Sequence, residues 1–133
     1  MKKTEFRAEK LKPVFEDKRG KIFDVVEDPI SHIGFITFKK GAVRGNHYHK
    51  KSTQFTYVID GKIELFTQDI RKPKSPIIKT VMTAGHFAEI PPHVIHTYRA
   101  VTPSSMIDCT SATRKAQGYE KDTMRVDPLV LKK

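Results

Sequence analysis

Six histidines are spread over the 133 residues, and three stand in an order that suits proton transfer or metal binding. His47 and His49 are two apart, so on an extended strand both imidazoles point to one face. Gln54 opens the next apolar stretch, whose alternation sets Gln54, Thr56 and Val58 on one face and Phe55, Tyr57 and Ile59 on the other. His96 comes much later and shares a face with Tyr98 and Ala100. Two imidazoles, a carboxamide and a third imidazole from a distant strand are expected to converge inside a small barrel. Imidazole titrates near neutral pH without help, which fits it to move a proton beside a carbonyl. The same groups suit Zn, Fe, Ni or Cu, although an amide at Gln54 brings less charge to a metal than a carboxylate. His32, His86 and His93 read as loop histidines without a role.

The elements that must position these residues are short. Apolar stretches at 21–27, 33–38, 55–59, 62–67, 77–82, 87–90, 97–101 and 106–110 are each bounded by Gly, Pro, Asp or Ser. That is the pattern of an all-β sandwich or barrel. Asp60-Gly61 is a tight-hairpin signal, since both residues tolerate positive φ. Pro73 with Pro76, Pro91-Pro92 and Pro103-Ser104-Ser105 predict loops. Only 112–122 hints at a helical turn, and the first dozen residues read as an arm or an edge strand. One domain over 1–133 is expected, with no repeat or linker.

Composition narrows the classes. The chain has 25 Lys and Arg against 15 acids, a formal charge of +10, but the lysines are scattered in pairs. No zinc-finger, helix-turn-helix or RNA-recognition signature accompanies them, so the expected partner is an anionic small molecule, with no nucleic acid. No apolar run approaches the roughly 18 residues of a spanning helix, so no membrane is expected. Cys109 stands alone, and polar residues follow Met1-Lys2-Lys3 where an export signal would be apolar. A reducing, cytoplasmic setting is the expectation.

Gly41-x5-His47-x-His49-x4-Gln54-x6-Gly61, with Gly85-x5-Pro91 and His96, resembles the two motifs of the cupin superfamily. The first motif agrees in every spacing, with Gln54 where glutamate is common, and the second has His93 where glycine is usual. The resemblance implies an antiparallel jelly-roll β-barrel. Arg44-Gly45-Asn46-His47-Tyr48-His49-Lys50, followed by Gln54, is more narrowly similar to the signature of dTDP-4-keto-6-deoxyhexose 3,4-ketoisomerases. Phe15-Glu16-Asp17-Lys18-Arg19-Gly20 and Pro92-His93-Val94-Ile95-His96 also resemble segments of those enzymes. The related 3,5-epimerases share the F-x-D-x-RG and RGxHY elements.

That resemblance implies a set of roles. His49 is the base, and His47 bonds a sugar oxygen or the enediolate. Arg44 grips phosphate or a sugar oxygen, and Gln54 orients an imidazole. Arg19, Lys50 and His96 join the substrate site, with no metal and no cofactor. The chain departs from the pattern at Phe35, where those enzymes carry a tyrosine, so that the role is vacant or taken by Tyr57 or Tyr98, and at Ile95, where tryptophan is common. A homodimer is implied, and the face of Phe55, Tyr57 and Ile59 is a candidate cover for the partner. The alternatives are a 3,5-epimerase, a metal-binding cupin such as an oxygenase, and a non-catalytic sugar- or nucleotide-binding module.

Overall fold

Apolar residues alternating with polar ones, cut at intervals by Gly and Pro, fold as twelve strands and one short helix among the described residues. The structure, a computed structural model, describes residues 5–111 and 117–127. The strands are β1 (Arg7–Lys10), β2 (Phe15–Asp17), β3 (Gly20–Ile22), β4 (His32–Phe38), β5 (Val43–His49) and β6 (Gln54–Asp60). They continue with β7 (Lys62–Asp69), β8 (Ile78–Thr83), β9 (His86–Ile90), β10 (Val94–Ala100) and β11 (Ser104–Thr110). Helix α1 (Gly118–Asp122) runs directly into β12 (Thr123–Arg125).

Two five-stranded sheets form, ordered β1-β9-β6-β11-β4 and β12-β5-β10-β7-β8, and β2 with β3 makes a separate hairpin. All pairings are antiparallel. This is the all-β, jelly-roll cupin architecture expected from the motifs. The core between the sheets holds Phe38, Val58, Ile63, Leu65, Met82, Ile90, Val94, Tyr98 and Met106. Burying each such side chain is worth about 1.5–3 kcal/mol, so this layer supplies the frame for the polar residues embedded in it. Gly61 closes the β6–β7 hairpin at φ +89°, and a side chain there would overlap Ser104 and Pro103.

Several expectations give way. The stretch 21–27 is strand only to Ile22; Val25 and Val26 instead cap a second apolar cluster of Phe55, Phe87 and Cys109. Ser104 and Ser105 belong to a strand, because β11 lies between β4 and β6 and pairs with both. β10 begins at Val94, three residues earlier than the pattern suggested, which brings His96 fully into the sheet. The N-terminal segment does carry an edge strand, β1. Of the helical turn expected over 112–122, α1 covers Gly118–Asp122, and 112–116 lie outside the described residues. Phe55 is buried beneath this chain's own residues, so it offers nothing to a partner.

Candidate active site

β5 supplies the first wall of the site. A strict two-residue period would put Arg44 and His47 on opposite faces. The strand avoids this with an irregularity at Gly45 and Asn46, which have φ of +103° and +60°. Against β10 the register runs His96↔His47, then Thr97↔Gly45 and Tyr98↔Arg44, one residue out of step. A bulge of this kind re-aims a side chain. Arg44 and His47 therefore line the same cavity. Gly45 is required where it stands, since a Cβ would come within 2.7 Å of the His96 carbonyl oxygen. His93, at the usual glycine position, sits at φ +65°, and its N–H donates to the His49 carbonyl.

The three histidines meet as the spacing implied. Ring centroids are 5.1 Å apart for His47 and His49, 4.6 Å for His47 and His96, and 5.3 Å for His49 and His96. One nitrogen from each lies within 4.8 Å of the others, and all three side chains are buried. Burial pushes the His47 pKa down from 6.5 to about 4, helped by the neighbouring His49 and by Arg125. Burial also lowers His49, against a partial opposing pull from Gln54 and Asp122. His96 is held well below 6.5, by burial first and then by the other two imidazoles. At neutral pH the cluster is uncharged.

A directed hydrogen-bond chain leads away from His49. Asp108, a carboxylate, can only accept, and Thr56 Oγ1 approaches it at 3.4 Å. The Tyr98 hydroxyl is 2.6 Å from Thr56 Oγ1, and the Gln54 amide N–H donates to the Tyr98 oxygen at 2.9 Å. Gln54 Oε1 is then left to accept from His49 Nε2–H at 2.8 Å. The opposite nitrogen, His49 Nδ1, is 3.2 Å from Thr123 Oγ1, and His47 Nδ1 is 3.2 Å from Arg125 Nη1. His96 Nδ1 donates to the Val94 carbonyl at 3.0 Å, and its buried Nε2 has no hydrogen-bond partner among the described residues.

A cavity of about 420 Å³ opens beside this network, lined among others by Arg44, His47, Gln54, Tyr98, Asp108 and Arg125. Arg44 reaches it after donating to the Thr37 carbonyl at 3.1 Å and lying over the Phe38 ring. His49 and His96 stand behind this lining, with almost no exposure. Three proposed residues are placed elsewhere. Tyr57 lies on the outer face with the Phe55–Phe87 cluster, as alternation from Gln54 requires, whereas Tyr98 lines the cavity. Arg19 sits in the β2–β3 turn and spends its guanidinium on Asp17. Lys50 borders a separate pocket of about 390 Å³ with Lys51, Lys121 and Asp122. Asp108, Thr123 and Arg125 are additions that spacing does not signal, whereas Thr56 joins from the face it shares with Gln54.

The three imidazoles fit a metal unequally. His96 fits, with its proton held on Nδ1 and a bare Nε2. His47 fits if Nε2 gives up its proton. His49 fits only if a metal displaces the proton now given to Gln54.

Among curated protein sequences no match to this chain was found. Solved structures show the same fold. A sugar 3,4-ketoisomerase from Thermoanaerobacterium thermosaccharolyticum, in complex with TDP, aligns over 91% of this chain and 88% of its own, with TM-score 0.69 and 21% identity. A TDP-fucose-3,4-ketoisomerase from Campylobacter jejuni covers 91% and 89%, with TM-score 0.73 and 16% identity. A 3'-monoepimerase from Streptomyces bikiniensis, in complex with dTDP-quinovose, covers 93% and 70%, with TM-score 0.78 and 14% identity. The Cupin_2 family, the cupin domain, matches residues 34–109, so nearly all of β4 to β11, both histidine motifs and most of the cavity wall fall inside it, and the chain belongs to that family.

Proposed function

We propose that this chain is an isomerase of dTDP-linked 4-keto-6-deoxy sugars and that it catalyses 3,4-ketoisomerisation. The observation that carries the reading is the cavity, where an oriented, uncharged imidazole at His47 faces a space flanked by the guanidinium-bearing Arg44 and Arg125. The fold shared with ketoisomerases and an epimerase of such sugars, and the Arg44–Gln54 signature, support the substrate class.

In the reaction a base takes the proton from C3 and the electron pair moves into the C4 carbonyl, giving an enediolate. Transfer of the O3 proton to O4 and return of the abstracted proton to C4 leave a ketone at C3 and a hydroxyl at C4. His49 is the base; Nδ1 is its nitrogen with a lone pair, because Nε2–H is committed to Gln54, and the Thr123 hydroxyl that donates to Nδ1 turns away as the proton is taken. Gln54 then steadies the imidazolium at Nε2. His47 offers a hydrogen bond to the oxyanion, and Arg44 holds phosphate or a sugar oxygen. Tyr98, tied to Gln54 and Thr56, completes the wall. The enzyme works as a homodimer in the cytoplasm in this reading.

The buried, unpartnered Nε2 of His96 favours a second reading, a metal held by His47, His49 and His96. There a divalent ion would supply Lewis acidity. Assay with dTDP-4-keto-6-deoxyglucose and excess chelator separates the classes. The isomerase reading expects a 3-keto product at an undiminished rate; loss of turnover restored by one metal per chain supports the second reading. Oxygen consumption indicates an oxygenase, and binding without turnover a carrier module.

A further inference from the structure

We propose that the C-terminal strand β12 decides which nitrogen of His47 carries the proton, with Arg125 as the positioning residue. β12 pairs with β5 in the register Thr123↔His49 and Arg125↔His47, so each lies directly opposite its histidine. Directly opposed side chains on one face are the closest neighbours a sheet provides.

The direction of each contact follows from donor chemistry. A guanidinium carries only donors and stays protonated, so Arg125 Nη1 at 3.2 Å obliges His47 Nδ1 to offer a lone pair. In the neutral ring the proton must then sit on Nε2. A hydroxyl can donate or accept, but Gln54 Oε1 already takes the proton of His49 Nε2, so Thr123 donates to Nδ1. His96 is arranged the other way, with its proton on Nδ1 facing the Val94 carbonyl. The three rings are therefore inequivalent. Two carry Nε2–H and the third carries a bare Nε2. In the reading of the cavity as the sugar site, on which this consequence rests, His47 becomes a donor for an oxyanion and is unavailable as a base at Nε2.

The backbone fixes β12 independently of these side chains. At its start the Asp122 carboxylate accepts from the Lys51 N–H at 2.7 Å, the Ser52 N–H at 3.1 Å and the Ser52 hydroxyl. At its end the Val126 N–H donates to the Asn46 carbonyl at 2.9 Å. Arg125 is exposed, so replacing it leaves the core untouched.

Long-range ¹H–¹⁵N NMR of the full chain with labelled histidine, above neutral pH and without substrate, reads each tautomer directly. The native protein is expected to show His47 with a pyridine-like Nδ1 and a pyrrole-like Nε2. Arg125→Lys, which keeps a donor, retains that pattern. Arg125→Glu, which presents an acceptor, moves the His47 proton to Nδ1 and leaves His49 unchanged. Thr123→Val leaves both tautomers as they are, since Gln54 holds the His49 proton on Nε2. A native His47 protonated at Nδ1, or an Arg125→Glu spectrum identical to the native one, overturns the proposal. Because no substrate is present, either result stands apart from whether the protein turns over a sugar.

Discussion

Two concave regions of similar size occupy opposite ends of the β5–β12 pair, and they are built on different principles. At the end holding Arg44, His47 and Arg125, the cavity of about 420 Å³ is walled by polar groups whose orientation is set by hydrogen bonds within the barrel. At the other end, beyond His49 and Thr123, the pocket of about 390 Å³ collects Lys50, Lys51 and Lys121 on flexible stems. The carboxylate in that pocket, Asp122, is already committed to Ser52 and to the Lys51 and Ser52 amides. Positive charge is the more crowded in the lysine pocket, yet fixed direction is found only in the cavity. Reaction chemistry needs direction, because oriented dipoles cost no reorganisation as charge develops. A lysine is a solvated point charge, whereas an arginine presents a planar fork.

The largest effect that would sharpen this contrast is on turnover. His49→Asn should lower kcat by about 10²–10⁴, the range for a positioned acid–base group, with folding and dTDP affinity near native. Steady-state kinetics beside calorimetry would check it, and a variant keeping more than half the activity removes His49 from the mechanism.

Next in size is a pH effect on stability. His47 has a folded-state pKa of about 4 against 6.5 when free, so below 6.5 the unfolded chain binds a proton that the folded one resists. The stability present above that value is lost as pH falls towards about 4. For His47 alone the full loss is on the order of 3 kcal/mol. Urea unfolding at about pH 7.5 and about pH 4.5 should show it, with a flatter profile for His47→Asn. Lys50 and Lys51 variants should leave the pH profile unchanged.

The smallest effect concerns ligand charge. Arg44→Ala should weaken dTDP binding by about tenfold, and Lys51→Ala by less. Both affinities should fall with added salt through screening. Calorimetry at two salt concentrations decides between them, and equal losses would mean that the two regions share the diphosphate.

The parts of this contrast that sequence reveals are those with a period. His47, His49 and Gln54 sit at spacings that alternation converts into one face, and His96 follows the second motif. The same alternation sends Tyr57 outward. Arg44 defeats it, because the bulge at Gly45 and Asn46 shifts the strand by one residue. The partners from β12 were not legible at all. A three-residue strand has no period to detect, and Thr123 and Arg125 reach the histidines only through cross-strand register. Thr56 shares the Gln54 face by that alternation, but its bond to Tyr98 in the other sheet and its contact with Asp108, its register partner on β11, are not encoded by spacing along one strand.

The most direct test of the account follows the sugar's own protons. The purified protein, given dTDP-4-keto-6-deoxyglucose in D₂O, should incorporate deuterium at C4 of a 3-keto product and exchange at C3 of the starting sugar, with C5 untouched. Deuterium at both C3 and C5, with the ketone still at C4, would make the protein an epimerase. No exchange at any carbon, in a folded protein that binds dTDP, would contradict the assignment of His49 as the base.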